Sequence, residues 1–340
     1  ASATEGLYSI WLQRNGFGTD DGIFGTYGTI DSVTKELLFS FRTDNKLEIY
    51  WFQSGSGTVL NLKTNRVFRD VGWYHILFSY KTDEAAANNR AQLYINGVRE
   101  TDFGTKTLPS ASYAPPRPFA SVPFGIGLSG ESGSLNSDFF DGYITQATFL
   151  DGHSIQGGDV TISSFLDTTA FGDNGSQFTP KADSDIAALA SAAGANSFCL
   201  DFTDSSAFGN DISSKNNDFT SASMATANQS ENTPSNTYAT WNPIQHPFPT
   251  SSGSLVAPTL TEGNLRAAIS SSNRGAAISS LTIPAGSGKY AAKFTVNTIG
   301  GIYPVIGVYD IEGSNAFTNG FTGTSDSVGL RMDGQKYVDG

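Results

Sequence analysis

The 340-residue sequence has one cysteine, two methionines and three histidines. Cys199 has no partner for an internal disulfide, so a disulfide scaffold is excluded and packing must hold the fold. Its surroundings, Ser197-Phe-Cys-Leu-Asp-Phe202, read as a strand with the thiol facing inward. His75, His153 and His246 share no metal-ligand spacing, and no zinc site is expected. His75 lies mid-strand on the same face as Trp73 and reads as a core histidine. Charge is scarce too, at 15% of residues against about 25% in an average soluble protein. The balance is acidic, with 32 acids, 20 bases and a net charge of -12. A nucleic-acid groove needs clustered Lys and Arg to neutralise phosphates, so no nucleic-acid partner is expected. No apolar run approaches the ~20 residues that span a bilayer, so no membrane insertion is expected. The most apolar stretch, Ile186 to Gly194, is short and Ala-rich, which suits one small helix.

The sequence is rich in glycine (37) and phenylalanine (24), and 12% aromatics suffice for a large core. Period-2 alternation dominates. Leu7–Leu12, Gly22–Tyr27, Glu36–Arg42, Lys46–Phe52, Trp73–Tyr80, Arg90–Ile95 and Phe139–Leu150 all read as strands. Thr43-Asp-Asn45 and Asn96-Gly97 are hairpin turns by composition. Short strands with turn signals every 8–12 residues imply an all-β fold, an antiparallel sandwich or barrel. Three regions follow: a sandwich over 1–152, a Ser/Asn-rich, loop-dominated wrap over 153–254, and a second β block over 255–340. That block shows strand patterns at Ala276–Ile283, Lys289–Val296, Tyr303–Tyr309 and Ser327–Arg331, too few to close a sandwich before Gly340. It reads as truncated at its C-terminus.

Arg66-Val-Phe-Arg-Asp-Val-Gly-Trp-Tyr-His-Ile76, followed by Asn89-Arg-Ala-Gln-Leu-Tyr-Ile-Asn-Gly-Val98, resembles the paired inner strands of laminin-G-like, concanavalin A-like domains. Phe140-Asp-Gly-Tyr-Ile-Thr-Gln-Ala-Thr-Phe-Leu-Asp-Gly152 resembles their closing strand. This version of the motif is similar to repeats in tail-fibre and virion-surface proteins of environmental bacteriophages. Phe198–Ser206, Asn216–Thr220 and Pro234–Pro243 resemble the segment that follows the sandwich in those proteins. Ser287–Phe294, with Ile306-Gly307 and Gly334–Gly340, resembles the first half of a SPRY-type sandwich, although Ala291 stands where an aromatic is usual. The resemblance implies a jelly-roll β-sandwich followed by a second, partial one. It also implies a place on the virion surface after assembly in the reducing cytoplasm of the host. Other virion subunits and a homotrimeric state are implied as well.

This fold hosts lectins, glycanases, adhesion modules and structural parts alike, so function must be argued from residues. Glycanases of this architecture carry two carboxylates roughly 5 Å apart on one strand. The nine glutamates here never fall within five residues of one another, so no catalytic residue is assigned and no enzyme is expected. No Gly-x-Ser-x-Gly elbow occurs either. For carbohydrate, Trp51 and Phe52 end a strand at the Ser54-Gly-Ser-Gly57 turn, where an exposed ring stacks on a sugar. Tyr113, in the Pro109–Pro123 excursion, is the second candidate. The competing reading, and the more common one for such residues, is core for Trp51 and simple loop anchoring for Tyr113. No cofactor is required, and Ca²⁺ is the one metal the sequence admits. Asp20 and Asp21, with Asp138 and Asp141, supply hard oxygen donors in rim-like turns. Asp is also a default turn former, and no spaced Asp-x-Asp-x-Asp-Gly loop occurs. Sequons at Asn174 and Asn228 add little.

Two functions fit these observations. One is a tail-fibre or spike component that contacts host-surface polysaccharide without cleaving it. The other is a decoration or connector protein that packs on virion subunits. Phe208 and Phe219, in Ser205–Asn236, are expected to anchor that segment on a neighbouring subunit or on the second domain. Trp73, Ile76, Phe78, Leu93 and Ile95 are expected in the core of the first sandwich.

Overall fold

The structure is a computed structural model that describes residues 3–30, 32–120, 122–131, 134–167, 179–244, 257–269, 275–283, 289–298, 305–309, 327–332 and 336–338. His246, Asn174 and residues 303–304 of the expected Tyr303–Tyr309 strand lie outside the described residues. The chain divides into two compact units, Ala1–Tyr238 and Ala239–Gly340.

Alternation in the sequence becomes β1 (Glu5–Arg14), β2 (Asp21–Ile30), β3 (Val33–Phe41), β4 (Lys46–Gln53), β5 (Gly57–Val67) and β6 (Trp73–Lys81). They are followed by β7 (Ala91–Ile95), β8 (Val98–Arg99), β9 (Phe103–Thr107) and β10 (Phe124–Ile126). A short hairpin, β11 (Ser129–Glu131) and β12 (Ser134–Ser137), precedes the long β13 (Gly142–Asp151). After β14 (Leu166–Asp167) and β15 (Thr179–Pro180) come α1 (Asp183–Ala192) and β16 (Phe198–Leu200). Two antiparallel six-stranded sheets result, in the orders β16-β13-β1-β6-β7-β8 and β10-β2-β3-β4-β5-β9. This is the jelly-roll sandwich expected of a concanavalin A-like chain. Asn96 and Gly97, both at positive φ (48° and 77°), form the primed turn between β7 and β8 that Asn-Gly favours.

Each inner face contributes every second residue to one core. Tyr8, Ile10 and Leu12 of β1 meet Ile76, Phe78 and Tyr80 of β6, and opposite them lie Leu37, Phe39, Leu47, Ile49 and Trp51. β1 is buried along its whole length because its other face is covered as well. There Leu7 and Trp11 pack with Leu77, Phe165, Ile186, Ala190 and Cys199 in a second cluster under α1. Ile186 and Ala190, one helical turn apart, are the buried face of α1. Cys199 is buried in β16, and burial pushes its thiol up to about 12, as an inert structural thiol requires.

Trp73 corrects the expected core list. Ile76, Phe78, Leu93 and Ile95 lie between the sheets, but Trp73 has the opposite parity to Ile76 and packs half-buried against the second cluster. His75 shares that outer face, as expected. It is fully buried, its Nε2 lies 2.8 Å from Ser9 Oγ, and desolvation pushes its pKa down to about 3. The Ser/Asn-rich segment also serves its own unit. Phe219 meets Phe198 at 4.9 Å and Phe119 at 5.1 Å between ring centroids, and Asn232 Nδ2 donates to Gln13 Oε1 at 2.6 Å. These contacts hold the segment against the first sandwich, where β16 pairs with β13 at the sheet edge.

In the second unit, β17 (Thr259–Thr261) pairs with β18 (Arg266–Ala268), and β19 (Val305–Tyr309), β20 (Ser327–Arg331) and β21 (Lys336–Val338) form a three-stranded sheet. Residues 276–283 and 289–296 are not regular strands. The first makes one bridge, Trp241 to Ser279, with Asn242 N donating to Ile278 O and Ser280 N donating to Thr240 O. Its partner is thus a short extended piece just after the first unit, which is too short to build a ladder.

Candidate functional site

The outward parity of β4 places Glu48, Tyr50 and Phe52 together, each half-buried, while Leu47, Ile49 and Trp51 point into the core. Cross-strand register then builds rows on the outer face of the sheet. Leu38, Tyr50, Asn61 and Thr107 form one row. Ser40, Glu48, Lys63 and Thr105 form the next, and Glu36, Phe52 and Thr58 lie on the other side of Tyr50. The β2 end of this face is closed. β11 lies across β2 and β3, and an added Cβ on Gly25 would meet Gly130 N at 2.9 Å, so glycine is needed for that approach. What stays open is the β4–β5–β9 end. It carries two aromatic rings beside amide, hydroxyl and carboxylate groups.

Hydrogen bonds order this surface. Asn61 Nδ2 donates to Glu48 Oε1 at 2.8 Å, and Asn61 Oδ1 is buried without a hydrogen-bond partner. Tyr50 Oη and Thr58 Oγ1 lie 3.4 Å apart. Arg42 reaches Glu48 with Nε at 3.2 Å and Asp20 with Nη1 at 3.6 Å. Lys63 Nζ meets Asp44 Oδ2 at 2.9 Å. Partial burial alone would raise the Asp44 carboxyl, but the Lys63 hydrogen bond, helped by the Lys46 N–H and charge, holds it below the ordinary carboxylate value.

Trp51, the first sequence candidate, is core. Its ring has no exposed area and meets Phe78 at 5.7 Å, Tyr80 at 5.3 Å and Tyr113 at 6.0 Å. Lying at the strand end does not expose it, because the Pro109–Pro123 excursion covers that end of the sandwich. Tyr113 is the cover. Its ring stacks on Trp51, Lys35 Nζ lies 5.3 Å from its centroid, and its hydroxyl is buried, which leaves no free ring face to offer a sugar. Phe52 alone of the three faces outward, and Tyr50 joins it. Tyr50 was legible by parity once Trp51 is assigned to the core.

The four aspartates do not act as one donor set. Asp21 binds the fully buried Arg14 at 2.6 Å and accepts from Thr19 Oγ1 at 3.0 Å. Arg14 also donates to Phe68 O and sits over the Phe17 and Phe41 rings, which makes it a knot that closes this end of the sandwich. Asp20 accepts from Thr43 N at 2.8 Å. Asp138, at φ 50°, accepts from Ser129 Oγ at 2.7 Å, and its carbonyl accepts from Gly22 N. The Asp141 carbonyl accepts from Asn15 N, and burial raises its carboxyl despite the nearby Arg14 charge. Turn formation and ion pairing are what these residues do here. Among the described residues no three His, Cys, Asp or Glu side chains are grouped to hold a metal.

Residues 7–153 match the family model of the Concanavalin A-like lectin/glucanases superfamily. That span runs from β1 to just past β13 and includes the face around Tyr50 and Phe52. This part of the chain is a concanavalin A-like β-sandwich. Among solved structures, the chain is similar to a candidate carbohydrate-binding protein from Bacteroides ovatus, at 13% identity and TM-score 0.33, over 53% of this chain and 46% of that one. It is similar to a heptameric pentraxin from Limulus polyphemus at 13% identity and TM-score 0.30, over 43% and 63%. Tailspike protein 2 of an Escherichia coli O157:H7 bacteriophage is similar at 13% identity and TM-score 0.30, over 46% and 21%. The match spans less than two thirds of each of these three chains. No curated protein matches the sequence.

Proposed function

We propose that the chain is a non-catalytic, glycan-binding component of a bacteriophage virion surface, a tail fibre or spike. The observation that carries this is the open end of the outer sheet face. Tyr50 and Phe52 stand side by side with Asn61, Thr58 and Glu48, the mixture of stacking rings and orienting polar groups that a sugar ring requires. The phage setting rests on the motif resemblance over 66–152 and 198–243. The arrangement of carboxylates supports binding rather than cleavage. Glu36 and Glu48 share the face but stand four strand positions apart, about 13 Å at ~3.3 Å per residue, whereas glycosidases need roughly 5–9.5 Å.

One shallow site of this kind gives about millimolar affinity, near −4 kcal/mol. Several copies on one particle raise the apparent affinity about 10²–10⁴-fold through effective concentration. A homotrimer fits that use, and light scattering on the full chain tests it. Residues 255–340 are taken as a SPRY-type module on the β19–β20 pairing. A connector role is the second reading. It is favoured by exposed apolar side chains in the second unit, Leu281, Ile283, Tyr290 and Phe294 among them, which suit a neighbouring virion subunit. The deciding experiment displays the full chain multivalently on beads and measures adsorption to host cells. Adsorption that falls at least tenfold in Phe52→Ala, with an unchanged circular dichroism spectrum, supports the glycan reading. No adsorption at all promotes the connector.

A further inference from the structure

We infer that the cleft between the edge strands β8 and β9 binds the carboxylate of an acidic sugar, an inference that rests on the glycan-binding reading above but uses other residues. β8 and β9 are the last strands of their two sheets. Between them Leu62, Ala91, Leu93 and Phe103 form an apolar floor, with Arg99, Glu100 and Lys106 around it. Lys106 takes an inward position by register. It stands opposite the buried Leu62, where a sandwich strand ordinarily carries an apolar side chain. Its ammonium lies 5.8 Å from the Phe103 ring centroid and forms no ion pair among the described residues. Arg99 Nη2 donates to Asn88 O at 2.9 Å, a neutral acceptor, and Arg99 likewise pairs with no carboxylate among the described residues.

The acids nearby are already held. Glu100 Oε1 accepts from Thr101 N and Asp102 N at 2.9 Å each, and its Oε2 lies 3.8 Å from Arg66 Nε. Asp102 Oδ1 accepts from Asn65 Nδ2 at 2.7 Å. Arg66 thus answers Glu100, and the charges of Arg99 and Lys106 are left for an outside anion, in a chain whose net charge is -12. A carboxylate seated there gains charge-assisted hydrogen bonds from guanidinium and ammonium, while the C–H edge of the same pyranose rests on the Phe103 side of the floor. A free inorganic anion satisfies the cations but covers none of the apolar floor, so a carboxylated sugar fits the cleft better. One polymer can reach both sites. Thr105 and Thr107, of opposite parity to Lys106, lie in the outer-face rows that hold Glu48 and Tyr50, so a glycan crossing β9 passes from the aromatic face to the cleft.

The test compares polygalacturonate with its methyl ester, which keeps the sugar backbone and removes the charge. Both are printed at equal density and probed with the full chain displayed on beads. Salt is held at about 0.15 M, where repulsion from the rest of the chain is screened beyond roughly 8 Å. The acid should be retained about tenfold better than the ester, the worth of one charge-assisted hydrogen bond. The double variant Arg99→Gln, Lys106→Gln, with an unchanged circular dichroism spectrum, should hold the acid no better than the ester, and the double variant Arg99→Lys, Lys106→Arg should keep most of the difference. Equal retention of acid and ester by the unaltered chain, with both lost in Phe52→Ala, would overturn the cleft and leave the aromatic face standing. A preference for the acid that survives Arg99→Gln, Lys106→Gln would overturn it too. So would a double variant that only self-associates in light scattering with its retention intact, since the two cations would then be guarding sheet edges. Retention on neither polymer by the unaltered chain would overturn the cleft, and the host-cell adsorption above then decides the glycan reading separately.

Discussion

His75 gives the first sandwich a calculable weakness in acid. The imidazole is fully enclosed between Ser9, the Trp11 ring at 5.0 Å and the Phe165 ring at 6.3 Å, and desolvation holds it neutral down to about pH 3. An unfolded chain takes up that proton near pH 6.5. The folded pKa is therefore the lower one, so the unfolded state binds more protons in the window between the two values. Stability from this group is complete above about pH 6.5 and is lost as pH falls toward 3. At pH 5 the loss is roughly 2 kcal/mol, since one and a half pH units lie below the unfolded value at about 1.4 kcal/mol each. For a unit of this size the change in Tm is about 4–8 °C. The assay is urea unfolding followed by tryptophan fluorescence at pH 7.5 and pH 5, on the protein and on His75→Gln. The variant is expected to be less stable throughout but to show a smaller drop. Equal drops in both proteins would refute the assignment of the acid sensitivity to His75.

Trp51→Ala should cost about 3–5 kcal/mol, as a large-to-small change in a closed core. A Tm lowered by under ~2 °C would contradict its placement. Chelation with EDTA should shift Tm by less than about 1 °C, because the carboxylates of Asp20, Asp21 and Asp138 are already engaged by protein donors. A cation present at about 100 times its Kd would instead contribute about 2.7 kcal/mol and reveal itself as a drop of several degrees. Gly25→Val should destabilise by roughly 1–3 kcal/mol and loosen β11 from the sheet, read as faster proteolysis near Ser129, because its side chain has no room beneath the Gly130 backbone.

Sandwich architecture was legible wherever hydrophobic parity ran unbroken. Tyr8, Ile10 and Leu12 against Leu7 and Trp11 already divide β1 between two faces, and the structure puts a core behind each. The Asn96-Gly97 turn and the Ala-rich helix were equally local signals. Long-range cover was not legible. Nothing in Pro109–Pro123 states that Tyr113 lands on Trp51, and nothing in Ser205–Asn236 states that Phe219 docks on Phe198 of its own unit. Each contact joins residues about 20 to 60 positions apart and depends on where an irregular segment turns. Ser112 and Phe119 do so with positive φ, which composition does not foretell.

The misplacement of Trp51 shows what a strand end can hide. A tryptophan beside a glycine turn has the chemistry of a sugar platform, and its position near the strand end suggests exposure. Parity says otherwise, because a residue flanked at i−2 and i−4 by Ile49 and Leu47 belongs to their face, and both are buried. The same rule that removes Trp51 supplies Tyr50, since Glu48, Tyr50 and Phe52 must then look outward together. One strand thus divides its aromatics between two faces, Trp51 stabilising the sandwich from within and Tyr50 with Phe52 turned outward. A one-residue slip of β4 would exchange the two sets, burying Glu48 and exposing Trp51. The bulge at Trp51/Phe52 is where the β4–β5 register shifts, and it sets Phe52 against Thr58 beside Tyr50. Register fixes the core and sets the outer rings side by side, so the candidate site follows from the same alternation that builds the fold.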